Sequence, residues 1–172
     1  MGDTGLKKTH FLILLFAFFC ILGTTASASN LIIGNGRIDA IGGTAAFDII
    51  LDSAPNGLAG YSINVAIGKP SVATIAAATF PGWVTNNDII PPLPASSCKL
   101  KGLDGEELIQ DGAGNIVLAT VTLQGLEEGV TPVTLNVVLM SDDDDLDINP
   151  TVVPGTLIVE LPPLADFSAN TT

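Results

Sequence analysis

Length, composition and charge restrict the classes of protein to which this chain can belong. It has 172 residues, with 18 acidic side chains against six Lys and Arg, and a formal net charge of −12. Binding to nucleic acid or to an anionic lipid surface requires clustered Lys and Arg, so the composition predicts neither. An acidic chain of this size suits a domain that meets cations, salt water or a basic partner.

The N-terminal 28 residues have the pattern of an export signal. Lys7 and Lys8 precede an apolar run over 11–23, and the small residues at 26–28 are those that signal peptidase accepts. The run is shorter than the ~20 residues that a membrane-spanning helix needs. The pattern predicts a signal peptide over 1–28, a secreted or cell-surface protein, and no membrane insertion of the mature domain. An uncleaved anchor is the alternative.

Loss of the signal would leave a chain without His and with one cysteine, Cys98. Such a chain has no Ser-His-Asp or Cys-His arrangement, no thiolate metal cage and no internal disulfide. We expect Cys98 to be a buried small apolar residue. The adjacent acids at 106–107 and 127–128 lie beside turn glycines, where solvation keeps a carboxyl from acting as a general acid. The sequence therefore predicts that the protein is not an enzyme.

Short runs of Val, Ile, Thr and Leu recur from residue 29 to residue 161, bounded by Gly, Pro, Asn and Asp. No window outside the signal repeats apolar residues at helical spacing, and this pattern is typical of an all-β sandwich. A Pro-Asn-Gly turn joins the clearest two runs, which we interpret as the opening strand pair. The predicted strands are 31–40 with a break at 34–36, 45–51, 58–67, 72–80, 97–103, 116–126, 130–140 and 155–161.

The remaining segments are predicted to connect or to end the domain. The stretch 81–94 contains Trp83, two Asn and several Pro, so we expect a surface connection there. One helical turn is predicted over 106–110. After the domain at 29–161, the segment 162–172 reads as a stiff Pro-Pro linker followed by the truncated opening strand of another domain.

Four pieces of the sequence carry a resemblance to a known family: Ile49 to Val65, Pro70 to Ile75, Lys101 to Leu126 and Asp142 to Val159. In this order they resemble cohesin-like modules of archaeal surface and secreted proteins. The resemblance implies an all-β, nine-stranded jelly-roll β-sandwich related to carbohydrate-binding modules. Cohesins dock dockerin modules through one flat sheet face. The tail Ala165 to Asn170 is similar to the start of a polycystic-kidney-disease-type (PKD) domain.

The acidic run from Asp142 to Asp147 is the strongest candidate for a metal site. Five carboxylates in six residues repel one another, and Ca²⁺ prefers six to eight oxygen ligands. Asp142, Asp144 and Asp147 would converge if the loop curls, with backbone carbonyls completing the shell. The alternative is a solvated hairpin tip without an ion, since acidic runs are usually solvated.

Two aromatic residues and one sequon are further candidate sites. Trp83 and Tyr61 are the single Trp and Tyr of the chain, and we consider both for stacking on a sugar. Tyr61 lies on the apolar register of its strand, so core packing is the alternative there, and Trp83 would cover one end of the sandwich. Asn170 begins an Asn-Thr-Thr glycosylation sequon.

These observations predict a non-catalytic extracellular binding or scaffold module that contacts a protein partner, either a dockerin or another surface protein. Three alternatives stay open. The chain would be a carbohydrate-binding module that takes a polysaccharide, a self-associating surface-layer or filament subunit, or the accessory domain of a glycan hydrolase beyond residue 172.

Overall fold

The computed structural model describes residues 28–161, which form two β-sheets packed face to face. Residues 1–27 of the predicted signal peptide, the predicted linker and PKD-like tail over 162–172, and Asn170 lie outside the described residues. The strands are β1 (Asn30–Ile33), β2 (Gly36–Ile38), β3 (Thr44–Ala54), β4 (Gly60–Ile67), β5 (Ala73–Thr79), β6 (Asn86–Ile90), β7 (Ser97–Leu103), β8 (Ala113–Gly125), β9 (Gly129–Ser141), β10 (Thr151–Val153) and β11 (Gly155–Val159).

The two sheets are mixed, and all but two of their strand pairs are antiparallel. The first sheet has the order β10-β1-β3-β8-β5, and the second has the order β2-β11-β9-β4-β7-β6. Within the described residues there is no helix, and thus none that could span a membrane. The prediction of an all-β sandwich is confirmed.

The eleven strand segments correspond to nine strands, because the first and the last strand each change sheets. The first strand leaves one sheet after Ile33 and enters the other at Gly36, so the predicted break at 34–36 is confirmed. The last strand changes sheets at Pro154. The first and last strands of the chain pass close to each other there. A Cβ on Gly155 would stand 2.2 Å from the Gly34 carbonyl oxygen. Only glycine fits this crossing point.

Alternating apolar residues build the core between the sheets. In β4 the side chains of Tyr61, Ile63, Val65 and Ile67 are all buried, as the period of two predicts. Cys98 is buried as well, which confirms its predicted place in the core. The largest fully buried side chains are Leu31, Ile33, Ile49, Leu51, Leu58, Ile63, Ile75, Leu100, Leu118, Leu123, Met140 and Leu157.

Three local predictions were wrong. The Pro-Asn-Gly turn does not join a paired hairpin, because β3 and β4 lie in different sheets. The 81–94 connection contains a strand, β6, which forms the edge of the second sheet by pairing with β7. No helical turn forms over 106–110, because the Asp104 carboxylate accepts the amide of Ile109 and draws the loop into successive turns.

Candidate functional site

The exposed apolar side chains of the strands are concentrated on one sheet. Large apolar side chains in strands are mostly buried by folding, so those left in solvent mark a candidate contact surface. Only Val153 is of this kind in the five-stranded sheet. The six-stranded sheet exposes six: Ile90, Leu103, Val130, Val138, Leu139 and Ile158. We call the solvent side of this sheet the outer face.

A β-bulge in β9 brings two of these side chains together. Ser62 is paired with Leu139 and Ile63 with Val137, so Val138 is the extra residue. A bulge shifts the alternation of a strand by one residue. Consecutive residues Val138 and Leu139 are therefore both about half exposed, at 49% and 56%.

A shallow groove of about 540 Å³ lies beside this bulge on the outer face. Leu103 on β7 and Leu139 on β9 stand on either side of β4. Gly60 of β4 lies under Leu103, and a Cβ there would meet the Leu103 side chain at 2.6 Å. The groove is lined by Gly60, Tyr61, Ser62, Asn86, Asn87, Asp88, Lys101, Gly102, Leu103, Val138, Leu139 and Ser141.

The basic residues of the described chain also lie mainly on this sheet. Lys99 and Lys101 are on β7, and Arg37 is on β2. The Lys101 ammonium lies 3.9 Å from the Asp88 carboxylate, and both side chains are about half exposed. Such an exposed pair adds little to stability and can exchange for a partner's carboxylate. Arg37 is already paired with Asp39 and Glu160, so Lys99 and Lys101 supply the positive charge beside the apolar groove.

Leu103 and Leu139 were not predicted from the sequence as candidate contact residues. A signal was present for Leu103, since it shares the register of Lys99 and Lys101 and alternates with buried Cys98 and Leu100. Leu139 carried no such signal, because the bulge that turns it outward comes from long-range pairing with β4.

Tyr61 and Trp83 pack against each other inside the sandwich. Their ring centroids are 6.1 Å apart with an interplanar angle of 59°. Tyr61 is only 3% exposed, and its hydroxyl donates a hydrogen bond to the Leu118 carbonyl. Burial raises the pKa of this hydroxyl. The ring of Tyr61 therefore has no exposed face for a sugar.

Trp83 is half-buried and is hydrogen-bonded to the five-stranded sheet. Its indole Nε1 donates to the Val117 carbonyl at 3.0 Å. The polar end of the indole is thus already satisfied within the protein. This arrangement fits packing at the margin of the core, the alternative that the sequence offered for both rings.

The acidic run forms a tight loop that Asp142 organises. The Asp142 Oδ1 atom accepts the amides of Asp144 at 3.1 Å and Leu146 at 2.8 Å, and Oδ2 accepts the Asn56 side-chain amide at 3.1 Å. These bonds, with the Leu146 amide first, lower the pKa of Asp142. Asp144 and Asp147 are exposed on the same loop.

The loop does not bring the three predicted calcium ligands into one set. Asp142 uses both carboxylate oxygens to hold the loop, and Asp147 lies in an isolated bridge with Ser141. Nowhere in residues 28–161 do three or more acidic, His or Cys side chains form a group that could hold a metal ion. The adjacent acids at 106–107 and 127–128 are exposed.

Several solved structures have a fold similar to that of residues 28–161. No protein-family model and no curated protein matches the chain. Among solved structures, a chain of the Coh-OlpA–Doc918 complex, a type I cohesin–dockerin complex from Clostridium thermocellum, gives a TM-score of 0.64 at 14% identity. The match covers 77% of this chain and 99% of that one.

Two further structures are similar to the same degree. The seventh ScaB type I cohesin from Pseudobacteroides cellulosolvens gives a TM-score of 0.65 at 14% identity, over 84% of this chain and 99% of its own. A non-cellulosomal cohesin from the hyperthermophilic archaeon Archaeoglobus fulgidus gives 0.61 at 14% identity, over 77% and 91%. The chain therefore has a cohesin-like jelly-roll fold, as the resemblance implied.

Proposed function

We propose that residues 29–161 form a non-catalytic protein-binding module whose partner docks on the outer face of the six-stranded sheet. The apolar groove between Leu103 and Leu139 carries this proposal. Apolar side chains left in solvent on a regular sheet lose water only when a second surface covers them, which favours association. The five-stranded sheet exposes a single large apolar strand residue, so the opposite face offers a partner much less.

The structural neighbours support a protein as the partner. Two chains of this fold from Clostridium thermocellum are known in type I cohesin–dockerin complexes. At 14% and 15% identity these neighbours share the fold, and the proposal takes the class of partner from them. We accordingly propose a dockerin-type or other surface protein.

The chemistry of the outer face defines the partner further. The groove takes apolar side chains, and Lys99 and Lys101 on the adjacent strand favour carboxylates near its edge. Charge of this kind raises the association rate, while the buried apolar contacts set the dissociation rate. The expected partner therefore presents an apolar patch beside acidic residues.

The proposal is tested by measuring binding of the full chain to a panel of dockerins by calorimetry. We expect Leu103→Asp and Leu139→Asp each to weaken binding about tenfold or more, as substitutions at the centre of an interface do. Val153→Asp is the matched control, because it also replaces an exposed apolar strand residue with Asp, but in the opposite sheet. Absence of binding to every dockerin would contradict the dockerin-type partner, and equal losses in all three variants would contradict docking on the outer face.

A secreted or cell-surface location belongs to the same proposal. It rests on the export pattern over 1–28. N-terminal sequencing of the protein recovered from the host's culture medium or envelope should begin near Ser29. A recovered chain that still starts at Met1 would contradict cleavage.

A further inference from the structure

A second groove lies along the edge of β9 that faces away from β4. β11 pairs with β9 only over Gly129–Val133, so within the described residues the rest of β9 has no strand beside it on that edge. The segment 147–152, which leads into β10, lies there instead. Its Ile148 amide donates to the Met140 carbonyl at 2.9 Å, and a groove of about 300 Å³ remains between the segment and the strand. We call it the edge groove.

The edge groove has an apolar floor and a polar rim. The floor consists of partly buried side chains that pack against the core: Val137, Ile148 and Val152. The polar side chains that line the groove are exposed: Asn136, Asp147 and Asn149. An apolar floor beneath a polar rim suits a long side chain that has an apolar stem and a charged end.

The rim carries negative charge without a neighbouring base. No Lys or Arg lines the edge groove, and no ion pair within residues 28–161 includes Asp147. Asn136 and Asn149 add amide oxygens, which accept hydrogen bonds. The rim therefore offers a full negative charge and further acceptors to a group that carries positive charge and several donors.

The edge groove is continuous with the groove on the outer face. Val138 and Leu139 line both grooves, and both are about half exposed at the bulge of β9. They form the ridge that separates the two grooves. A partner that covers this ridge from the outer face would therefore bring its own side chains over the edge groove.

We propose that the edge groove takes an arginine side chain of the protein that docks on the outer face, with the guanidinium paired to the Asp147 carboxylate. The source of this arginine rests on the proposed docking function. The arginine stem would pack on the apolar floor, and its planar fork of N–H donors would reach the acceptors of the rim. Lysine suits the groove less, because its compact ammonium has fewer donors and is more strongly hydrated.

The two grooves would together fix the orientation of the partner. Lys99 and Lys101 favour partner carboxylates on the β7 side of the ridge, whereas Asp147 favours a partner cation on the other side. A partner docked the other way round would place like charges against each other, which is unfavourable. The partner would therefore carry its acidic residues and its arginine on opposite sides of its apolar patch.

The first test needs no partner protein. The isotopically labelled full chain is titrated with Nα-acetyl-L-arginine amide at an ionic strength of about 0.1 M, and its backbone amide signals are followed by NMR. We expect saturable shifts at Asn136, Val138 and Asp147, with a Kd in the millimolar range that is usual for so small a ligand. The citrulline analogue keeps the stem but has no charge, so it should bind about threefold more weakly or worse.

Substitutions in the acidic loop test the role of Asp147. Asp147→Asn should weaken arginine binding about threefold or more. Asp144→Asn is the matched control, because it removes the same charge from an exposed residue of the same loop that does not line the groove, and it should lose clearly less affinity. The proposal is overturned if arginine gives no saturable shifts, if the two ligands bind equally, or if Asp144→Asn loses as much affinity as Asp147→Asn.

The second test uses a dockerin that binds the chain. Asp147→Lys should weaken its binding about tenfold, and Asp144→Lys should weaken it less. Unchanged binding by Asp147→Lys, together with a loss in Leu103→Asp, would overturn the arginine contact and leave docking on the outer face standing. If no dockerin binds, the dockerin-type partner is contradicted, and the arginine titration still decides whether the edge groove takes a guanidinium.

Discussion

Asp142 is predicted to stabilise the fold as an acceptor of hydrogen bonds, at the start of an acidic run whose carboxylates repel one another. Replacing it with Ala removes the acceptor for two backbone amides and for the Asn56 side chain. A hydrogen bond to a charged group contributes about 1.5–3 kcal/mol, but the amides of this exposed loop can regain water. We therefore expect Asp142→Ala to lower the free energy of unfolding by about 2–3 kcal/mol.

The measurement is equilibrium unfolding in urea, compared with Asp144→Ala. Asp144 is exposed on the same loop, so its replacement removes equal charge and should shift stability by less than about 0.5 kcal/mol. Asp142→Asn keeps one acceptor oxygen and should fall between the two. Equal losses in Asp142→Ala and Asp144→Ala, or no loss in either, would refute the role assigned to Asp142.

The pH dependence provides a second test of the same residue. The pKa of Asp142 is lowered in the folded state, chiefly by the Leu146 amide. A group with a lowered folded pKa contributes stability that is fully present above its unfolded pKa, about 3.9, and that is lost as the pH falls through the folded value. The stability difference between the wild type and Asp142→Ala should therefore shrink below about pH 4.

Three more substitutions or modifications have defined outcomes. Gly57→Ala should lower the free energy of unfolding in urea more than Gly112→Ala does. Both residues have positive φ, but only Gly57 has atoms where a Cβ would stand. Equal losses of stability in the two variants would contradict this expectation. Tyr61→Phe should cost about 1 kcal/mol in the same assay by leaving the Leu118 carbonyl unpaired, and an unchanged stability would contradict the bond. Burial raises the pKa of Cys98 to about 11. Its thiol should therefore resist a thiol reagent at pH 8 until the protein is unfolded. Rapid labelling of the folded protein would contradict the burial of Cys98.

Local sequence patterns predicted the strands whose apolar and polar residues alternate, and the strand break that contains glycine. Strand β4 was found because its apolar residues repeat every second position and pack on the opposite sheet. The change of sheets near Gly34 was visible as a break within a strand-like run. The burial of Cys98 followed from its place on an alternating strand.

Features that depend on contacts between distant segments could not be predicted in this way. Strand β6 is exposed and polar over Asn86–Asp88, and only its pairing with β7 makes it a strand. The loop after Asp104 does not form a helical turn, because the Asp104 carboxylate accepts a hydrogen bond from the amide five residues later.

The contact surface and the conformation of the acidic loop at 142–147 also result from long-range structure. Leu139 points outward because of a bulge opposite Ser62, which no local pattern reveals. The run at 142–147 suggested a cation site by composition alone. In the fold, Asp142 is used for hydrogen bonds, and the Asp143 carboxylate lies against Gly57, which is far away in sequence.

The parallel pairing of the first and last strands has a mechanical consequence. β1 pairs in parallel with β10, and β2 pairs in parallel with β11, so the entering chain lies beside the leaving chain in both sheets. Tension applied through the two ends would pull parallel neighbours along their length in opposite directions. The hydrogen bonds of both pairs would then bear the load together in shear, instead of opening one after another. Because forced unfolding is governed by the unfolding barrier, this arrangement is expected to make the domain resist stretching along the line that joins its two ends.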